Sequence, residues 1–451
     1  MKRLLLILAV YFCFVVGYAQ QTITPETALN AYIHNNDPTW GWEIRDVYQI
    51  DNTKAYSLLF ISQKWQGILW KHELIVFVPE SLKQDGALLF ITGSSVNDGM
   101  PRFSNPDDET SLFLSALADR NNALVCVLKQ VPNQPLYDGL KEDALISYTL
   151  NEFRKDKDYS WPLLFPMTKS ACKAMDAVQE FAGQQLNREI NRFLVTGASK
   201  RGWTTWLTGA SQDPRVAAIA PMVIEMLNMP VNLDYQKQLY GEYSEEIQDY
   251  VNLEIPQAIH SEFGSATVQM IDPYSYREKL TMPKLIIMGT NDPYWTVDAI
   301  KHYINEIPGH NLLHYVPNAG HGLGDKIQAF GALGAFFSLM LDKTDYPVCE
   351  WKLSEKGKNI DLQVKTTPDK LIGAALWTSV SDSRDFRKAA WTKSDIYIDA
   401  KNRSAVNVRI KYPKTGFQAF YVDLIYKDPH GEEYSVSTRT YVSDNKKVFV
   451  Q

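Results

Sequence analysis

The chain has 451 residues, of which 45% are hydrophobic and 22% are charged, and this composition excludes a wholly disordered, collagen-like or polytopic membrane protein. Its length is enough for two domains. The net charge of −6 gives no overall basic excess, which argues against nucleic acid as the main partner.

The first residues have the pattern of a secretory signal peptide. Lys2 and Arg3 form a basic start, residues 4–16 are an uncharged apolar run, and Gly17 and Ala19 are small residues at the cleavage positions. We predict a signal peptide over residues 1–19 and a secreted or periplasmic protein. An uncleaved anchor is the alternative, although the run is short for a bilayer span. No second apolar run of spanning length follows, so we expect no membrane span in the mature chain.

Short apolar runs alternate with stretches of helical spacing from about residue 40 to residue 341. Continuous apolar runs indicate strands that are buried on both faces, as in a parallel sheet. We predict a doubly wound, mostly parallel α/β sheet over residues 20–341 that opens with an antiparallel hairpin. The predicted strands are residues 55–62, 73–78, 87–91, 123–128, 193–195, 216–224, 284–288 and 312–316.

Two long insertions interrupt this pattern, near residues 131–167 and 225–280. The first contains prolines at 132, 135, 162 and 166, which predicts that much of this segment is irregular. Insertions of this size after sheet strands either cover an active site or pad the surface, and the sequence leaves both interpretations open.

Residues 342–347 resemble a linker, and the pattern beyond them changes to alternating apolar and polar residues. We predict a small all-β domain over residues 348–451, a sandwich of the immunoglobulin-like type. A carbohydrate-binding role for this domain, with Trp351, Trp377 and Trp391 stacking on sugars, is a weaker alternative.

The cysteines do not suggest a disulfide framework. Removal of Cys13 with the signal peptide leaves Cys126, Cys172 and Cys349, an odd and widely spaced set. One bridge among them stays open, and Cys126 is expected in the core. No cysteine or histidine spacing indicates a metal site, and no cofactor is expected.

The strongest local signal for chemistry is Ser199. A predicted buried strand runs directly into Gly197-Ala198-Ser199 and a helix follows, which is the setting of a nucleophile elbow. The helix N-terminus behind the serine offers free N–H groups and a positive dipole end. The usual second glycine is replaced by Arg201, and glycine follows one position later at Gly202, a departure that weakens the motif.

Asp292 and His321 are candidates for the orienting acid and the base that a serine nucleophile needs. Each follows its own predicted strand, at the end of the sheet where open α/β sheets place their sites, and the order serine, acid, histidine is the one expected. We predict that His321 is the base and that Asp292 orients it.

Three further residues are candidates for supporting roles. The backbone N–H groups of Lys200 and Ser94 are the predicted oxyanion donors. Glu225 ends a predicted strand next to the serine, so it is a second candidate for the orienting acid, or a partner for Arg201.

The segments 197–206, 289–292 and 321–323, whose sequences are Gly-Ala-Ser-Lys-Arg-Gly-Trp-Thr-Thr-Trp, Gly-Thr-Asn-Asp and His-Gly-Leu, resemble the PhoPQ-activated pathogenicity-related family. Residues 70–74 add to this resemblance. It implies an α/β-hydrolase fold, similar to prolyl-peptidase-like and glucuronoyl-esterase-like hydrolases, with Ser199, Asp292 and His321 as the matching triad.

Two hypotheses about function follow. The first is a secreted serine hydrolase that cleaves an ester or amide bond through an acyl-enzyme, with a small-molecule, peptide or carbohydrate-ester substrate. The second is a non-catalytic hydrolase-like protein that binds or signals through its surface. The complete set of serine, acid and histidine favours the first hypothesis.

Overall fold

The computed structural model describes residues 22–105, 108–399 and 401–450. The signal peptide predicted for residues 1–19 lies outside this part of the chain. No helix within the described ranges is both long enough and apolar enough to cross a membrane.

The strands and helices follow one another along the whole described chain. The strands are β1 (Gly41–Ile50), β2 (Thr53–Trp65), β3 (Ile68–Pro79), β4 (Gly86–Ile91), β5 (Val96–Asn97), β6 (Met100–Pro101), β7 (Leu124–Leu128), β8 (Arg192–Ala198), β9 (Val216–Met222), β10 (Lys284–Gly289), β11 (Asn311–Val316), β12 (Glu350–Lys356), β13 (Asn359–Lys365), β14 (Leu371–Ser381), β15 (Trp391–Asp395), β16 (Ala405–Lys411), β17 (Phe417–Lys427), β18 (Glu433–Ser437) and β19 (Tyr441–Ser443). The helices are α1 (Pro25–Ile33), α2 (Glu109–Asn121), α3 (Glu142–Asp156), α4 (Leu164–Phe181), α5 (Lys200–Ala210), α6 (Met229–Tyr240), α7 (Gln248–Val251), α8 (Glu262–Ile271) and α9 (Ile327–Asp342).

The central sheet has the strand order β1-β2-β3-β7-β4-β8-β9-β10-β11. The first strands pair antiparallel, and from β7 to β11 all pairs are parallel. Alternate residues of β4 enter opposite apolar clusters, with Leu89 on one face and Leu88 on the other. Both faces are therefore buried, which explains the continuous apolar runs and confirms the predicted mostly parallel α/β sheet with an antiparallel start.

The first insertion combines one helix with irregular segments on either side. Helix α3 occupies fifteen residues of it, and residues 131–141 and 157–163 lie outside helices and strands, so the prediction that much of the insertion is irregular is confirmed. The prolines lie in two groups at its ends, and residues 136–161 between them contain none, so a helix can form there. The second insertion supplies α6, α7 and α8.

The C-terminal segment consists of strands, as predicted. Its sheets are not arranged as a separate sandwich, because one of them continues the central sheet. Strand β18 pairs antiparallel with β11 at Leu313 and Ser437, so the sheet continues through β18, β17, β14 and β15. Strands β12, β13 and β16 form a separate three-stranded sheet. The immunoglobulin-like sandwich is not confirmed, and the boundaries at 341 and 348 stay predictions. Alternation reveals strands but not their partners, and β11 offers an unpaired edge to which β18 adds.

The aromatic and cysteine residues singled out above are mostly internal. Trp391 is buried, and the indole N–H of Trp377 donates to Asp423, which does not favour a sugar-stacking surface. Cys126, Cys172 and Cys349 are buried free thiols.

Candidate active site

Ser199 lies at a tight turn between β8 and α5. Its backbone is in a strained conformation, with φ of 59° and ψ of −124°, which projects the side chain away from the turn. A Cβ atom at Gly197 would come within 2.8 Å of Arg201, and one at Gly202 would come within 2.6 Å of the Met222 carbonyl oxygen. The glycine one position later than usual thus allows α5 to pack closely on β9, and the departure from the common motif leaves the turn intact.

The structure brings Ser199, His321 and Asp292 together. His321 follows β11, and its Nε2 lies 2.8 Å from Ser199 Oγ. The other ring nitrogen, Nδ1, lies 2.8 Å from Oδ2 of Asp292, which follows β10. Asp292 is buried, and its other oxygen, Oδ1, accepts the backbone N–H of Tyr294 at 3.0 Å. The carboxylate is therefore held by two contacts, one of which leads through the imidazole to the serine.

Two cations follow the serine, and two anions of the first insertion face them. The Arg201 guanidinium donates two hydrogen bonds of 2.7 Å to Glu142, and Lys200 Nζ lies 2.8 Å from Asp143. Burial alone would raise the pKa of Glu142, but the hydrogen bonds and charge of Arg201, the Gln134 hydrogen bond and the charge of Lys200 together hold the pKa below its usual range. Neither Glu142 nor Asp143 was predicted from the sequence. Their adjacency, matched to the adjacent Lys200 and Arg201, is the signal that could have found them.

Glu225 has neither of the roles considered for it. The prediction that it pairs with Arg201 is wrong, because Glu142 takes that place. The histidine contacts Asp292 and not Glu225, whose carboxylate accepts the hydroxyl of Tyr303 instead. Burial raises the pKa of Glu225 to about 8, the charge of Asp292 adds to the rise, and the Tyr303 hydrogen bond opposes it.

This raised pKa predicts a pH-dependent stability. In the unfolded chain Glu225 loses its proton at a pKa of about 4.3, whereas in the folded chain it keeps the proton until about pH 8. The unfolded state therefore binds fewer protons between these values, and this group's contribution falls as pH rises through that window. Glu225→Gln has no such proton, and Gln can still accept from Tyr303. We expect urea unfolding to show the variant gaining stability relative to the native protein from pH 5 to pH 8. Parallel stability curves would contradict the raised pKa.

A cavity opens beside Ser199 and His321. Most of its wall comes from the second insertion, through side chains that include Met229 and Leu233 of α6, so this insertion covers the site. Tyr294 also lines the cavity, and its ring lies 4.2 Å from the His321 ring, centroid to centroid. The second insertion therefore fits the interpretation in which an insertion covers an active site, and not the one in which it pads the surface.

The predicted oxyanion donors are placed differently. Lys200 is the first residue of α5, where backbone N–H groups have no partner within the helix. Ser94 lies in the loop after β4 and is not among the described residues that line the cavity. Its neighbour Gly93 packs against the Arg201 guanidinium, where any side chain would collide with it. The role of Ser94 stays a prediction.

The loops that carry Asp292 and His321 are tied to the C-terminal segment. The amide of Asn291 donates to the carbonyl oxygens of residues 386, 387 and 389 at 3.1, 3.3 and 2.8 Å. Asn318 exchanges two hydrogen bonds with the Trp391 backbone, at 2.7 and 3.0 Å. Thr290 joins the two loops, because its hydroxyl donates to Asn291 and accepts the Asn318 N–H.

The strand order and the serine at the turn after β8 define an α/β-hydrolase-like fold. The chain belongs to the PhoPQ-activated pathogenicity-related protein family, whose model matches residues 29–387. It is similar to Autocrine proliferation repressor protein A of Dictyostelium discoideum, with 29% identity over 92% of this chain and 90% of that protein.

Solved structures of esterases are more distant. Acetyl xylan esterase 1 from Thermoanaerobacterium sp. is 18% identical, with a TM-score of 0.48 over 70% of this chain and 93% of that chain. An S-formylglutathione hydrolase from Agrobacterium tumefaciens is 11% identical, with a TM-score of 0.42 over 67% of this chain and 100% of that chain. These similarities are too distant to indicate a substrate.

Proposed function

We propose that the protein is a secreted serine hydrolase that cleaves an ester or amide bond. The observation that carries the proposal is the unbroken hydrogen-bonded row from Ser199 through His321 to Asp292, with 2.8 Å at each step. Secretion rests on the pattern of residues 1–19 alone.

In the proposed mechanism, Ser199 Oγ attacks the substrate carbonyl carbon while His321 Nε2 takes the hydroxyl proton. Asp292 holds Nδ1–H and stabilises the imidazolium without becoming protonated. The Lys200 N–H stabilises the negative oxygen of the tetrahedral intermediate. His321 returns the proton to the leaving alcohol or amine as its bond to carbon breaks. A water molecule then repeats the sequence on the acyl-enzyme, which releases the acid and restores the serine.

The test is covalent labelling with a fluorophosphonate. An activated serine forms an Oγ–phosphorus bond and displaces fluoride, whereas an ordinary turn serine does not react. We expect one label, mapped to Ser199 by peptide mass spectrometry and absent in Ser199→Ala. Ser94→Ala is the matched control, because its proposed role uses the backbone N–H, and it should label normally. Labelling that persists in Ser199→Ala would refute the assignment.

A non-catalytic binding or signalling role is the second candidate. It is favoured by the similarity to a relative named as a proliferation repressor. A well-folded protein whose Ser199 stays unlabelled, and which turns over no ester or amide, would support it.

A further inference from the structure

The cavity beside Ser199 has an almost entirely apolar wall. Its lining includes Trp203 of α5 and Ile224 after β9, together with Met229, Leu233 and Ile255 of the second insertion. A substrate whose carbonyl carbon is within reach of Ser199 Oγ can therefore place an adjoining group against these side chains.

The charges at the cavity are already paired. Besides His321, the charged side chains that line it within the described residues are Asp143 and Lys200, which lie 2.8 Å apart. Asp143 also accepts the hydroxyls of Tyr250 and Tyr294, at 2.9 and 3.4 Å. An ionised substrate group would thus lose its hydration without gaining a free counter-charge, which is unfavourable.

The amide of Gln236, on the same wall, is also occupied. Its Nε2 donates to the Tyr294 carbonyl oxygen at 2.6 Å, and its Oε1 accepts the Ser244 N–H at 2.9 Å. The first contact ties the second insertion to the loop after Asp292, and the second lies within the insertion. Of the other lining residues, Asn232 Oδ1 and Trp295 Nε1 have no hydrogen-bond partner among the described residues, so the uncommitted polar groups of the wall are uncharged.

We propose that this cavity selects substrates that carry a bulky, uncharged apolar group next to the scissile bond, on its acyl or its leaving-group side. This inference rests on the proposed function. It makes a short acetyl ester of a small alcohol a poor substrate, because such a molecule leaves the cavity wall uncovered.

Two series of esters show whether the cavity holds the acyl side or the leaving-group side of the substrate. The first varies the acyl chain of p-nitrophenyl esters from acetyl to hexanoyl, and the second varies the alcohol of alkyl acetates from ethyl to hexyl. We expect kcat/KM to rise about fourfold for each added methylene in one series, or about 250-fold over four methylenes, as burial of each CH2 group predicts. Adding a terminal carboxylate to the longest chain should cancel the gain. A flat profile in both series would overturn the proposal.

A substitution in α6 tests whether this cavity is the surface that selects the substrate. Leu233→Trp fills the cavity and should remove most of the gain with chain length. Val231→Trp is the matched control, since Val231 lies two residues earlier on the same helix, is 41% exposed and does not line the cavity. Equal profiles for the two variants would place the selective surface elsewhere.

Binding to Ser199→Ala separates this proposal from the proposed function. Methyl ketones from 2-butanone to 2-octanone carry the carbonyl without a cleavable bond, and calorimetry should show affinity rising with chain length and falling in Leu233→Trp. If the ketones bind in this way but no ester is cleaved, the proposal about the cavity is supported and the proposed hydrolase function is refuted. If esters are cleaved but neither turnover nor binding depends on the chain, the cavity proposal fails and the hydrolase stands.

Discussion

Asp292→Asn is expected to lower kcat about 10⁴-fold with the fold unchanged. The reason lies in the two contacts of the carboxylate. Oδ1 accepts the Tyr294 N–H, so the carbonyl oxygen of an asparagine would take that position and its NH2 group would face His321 Nδ1. Nδ1 would then have to accept, and the proton would move to Nε2, where it points at Ser199. A histidine in this tautomer cannot take the serine proton.

The measurement compares kcat on one ester for the native protein, Asp292→Asn and Glu225→Gln, with thermal unfolding as a check on folding. Glu225→Gln should keep its activity, because Glu225 contacts Tyr303 and not the histidine. Fluorophosphonate labelling should slow in Asp292→Asn in parallel with kcat. If Glu225→Gln lost activity in a well-folded protein while Asp292→Asn stayed active, Glu225 would be the orienting acid.

The sequence was sufficient to place Ser199, Asp292 and His321 because each follows its own buried strand. Parallel strands bring their carboxyl ends to one edge of the sheet, so local patterns along the chain fix a meeting point in space. The same logic made Glu225 a candidate. The positions of strand ends alone could not decide which of the two acids orients the histidine. Glu225 and Asp292 both follow strands near the site, and their side-chain contacts lie outside any local pattern.

Contacts between segments that are distant along the chain could not be predicted from strand ends. Glu142 lies 59 positions before Arg201, and no periodicity relates them. The join between β11 and β18 was likewise hidden, since alternation in β18 is the same whether it pairs within a separate sandwich or extends the central sheet. Pairing between distant segments depends on the shapes they bring together, and a single sequence carries that information only weakly.

The C-terminal segment should prove necessary for turnover, although the linker pattern suggests an independent α/β domain. Asn291 precedes Asp292 directly, and Asn318 lies three positions before His321, so both loops near the serine are fixed to residues 386–391. We expect Asn291→Ala combined with Asn318→Gly to lower kcat about 10²-fold, because a displacement of about 1 Å in reacting groups has that effect. Glycine is chosen at 318 because Asn318 has a φ of 58°, which glycine adopts without strain.

Asn311→Ala is the control for a merely structural loss. Asn311 begins β11 at the end of the strand away from His321, and its amide donates to the Ile307 carbonyl oxygen at 2.7 Å. Its removal should cost about 1 kcal/mol of unfolding free energy, as each hydrogen bond lost near 386–391 should, but it leaves the loops of Asp292 and His321 in place. We therefore expect kcat to fall in the double variant and not in Asn311→Ala, while KM changes little in either. Equal kcat in both variants would mean that the C-terminal segment supports the fold without positioning the acid and the base.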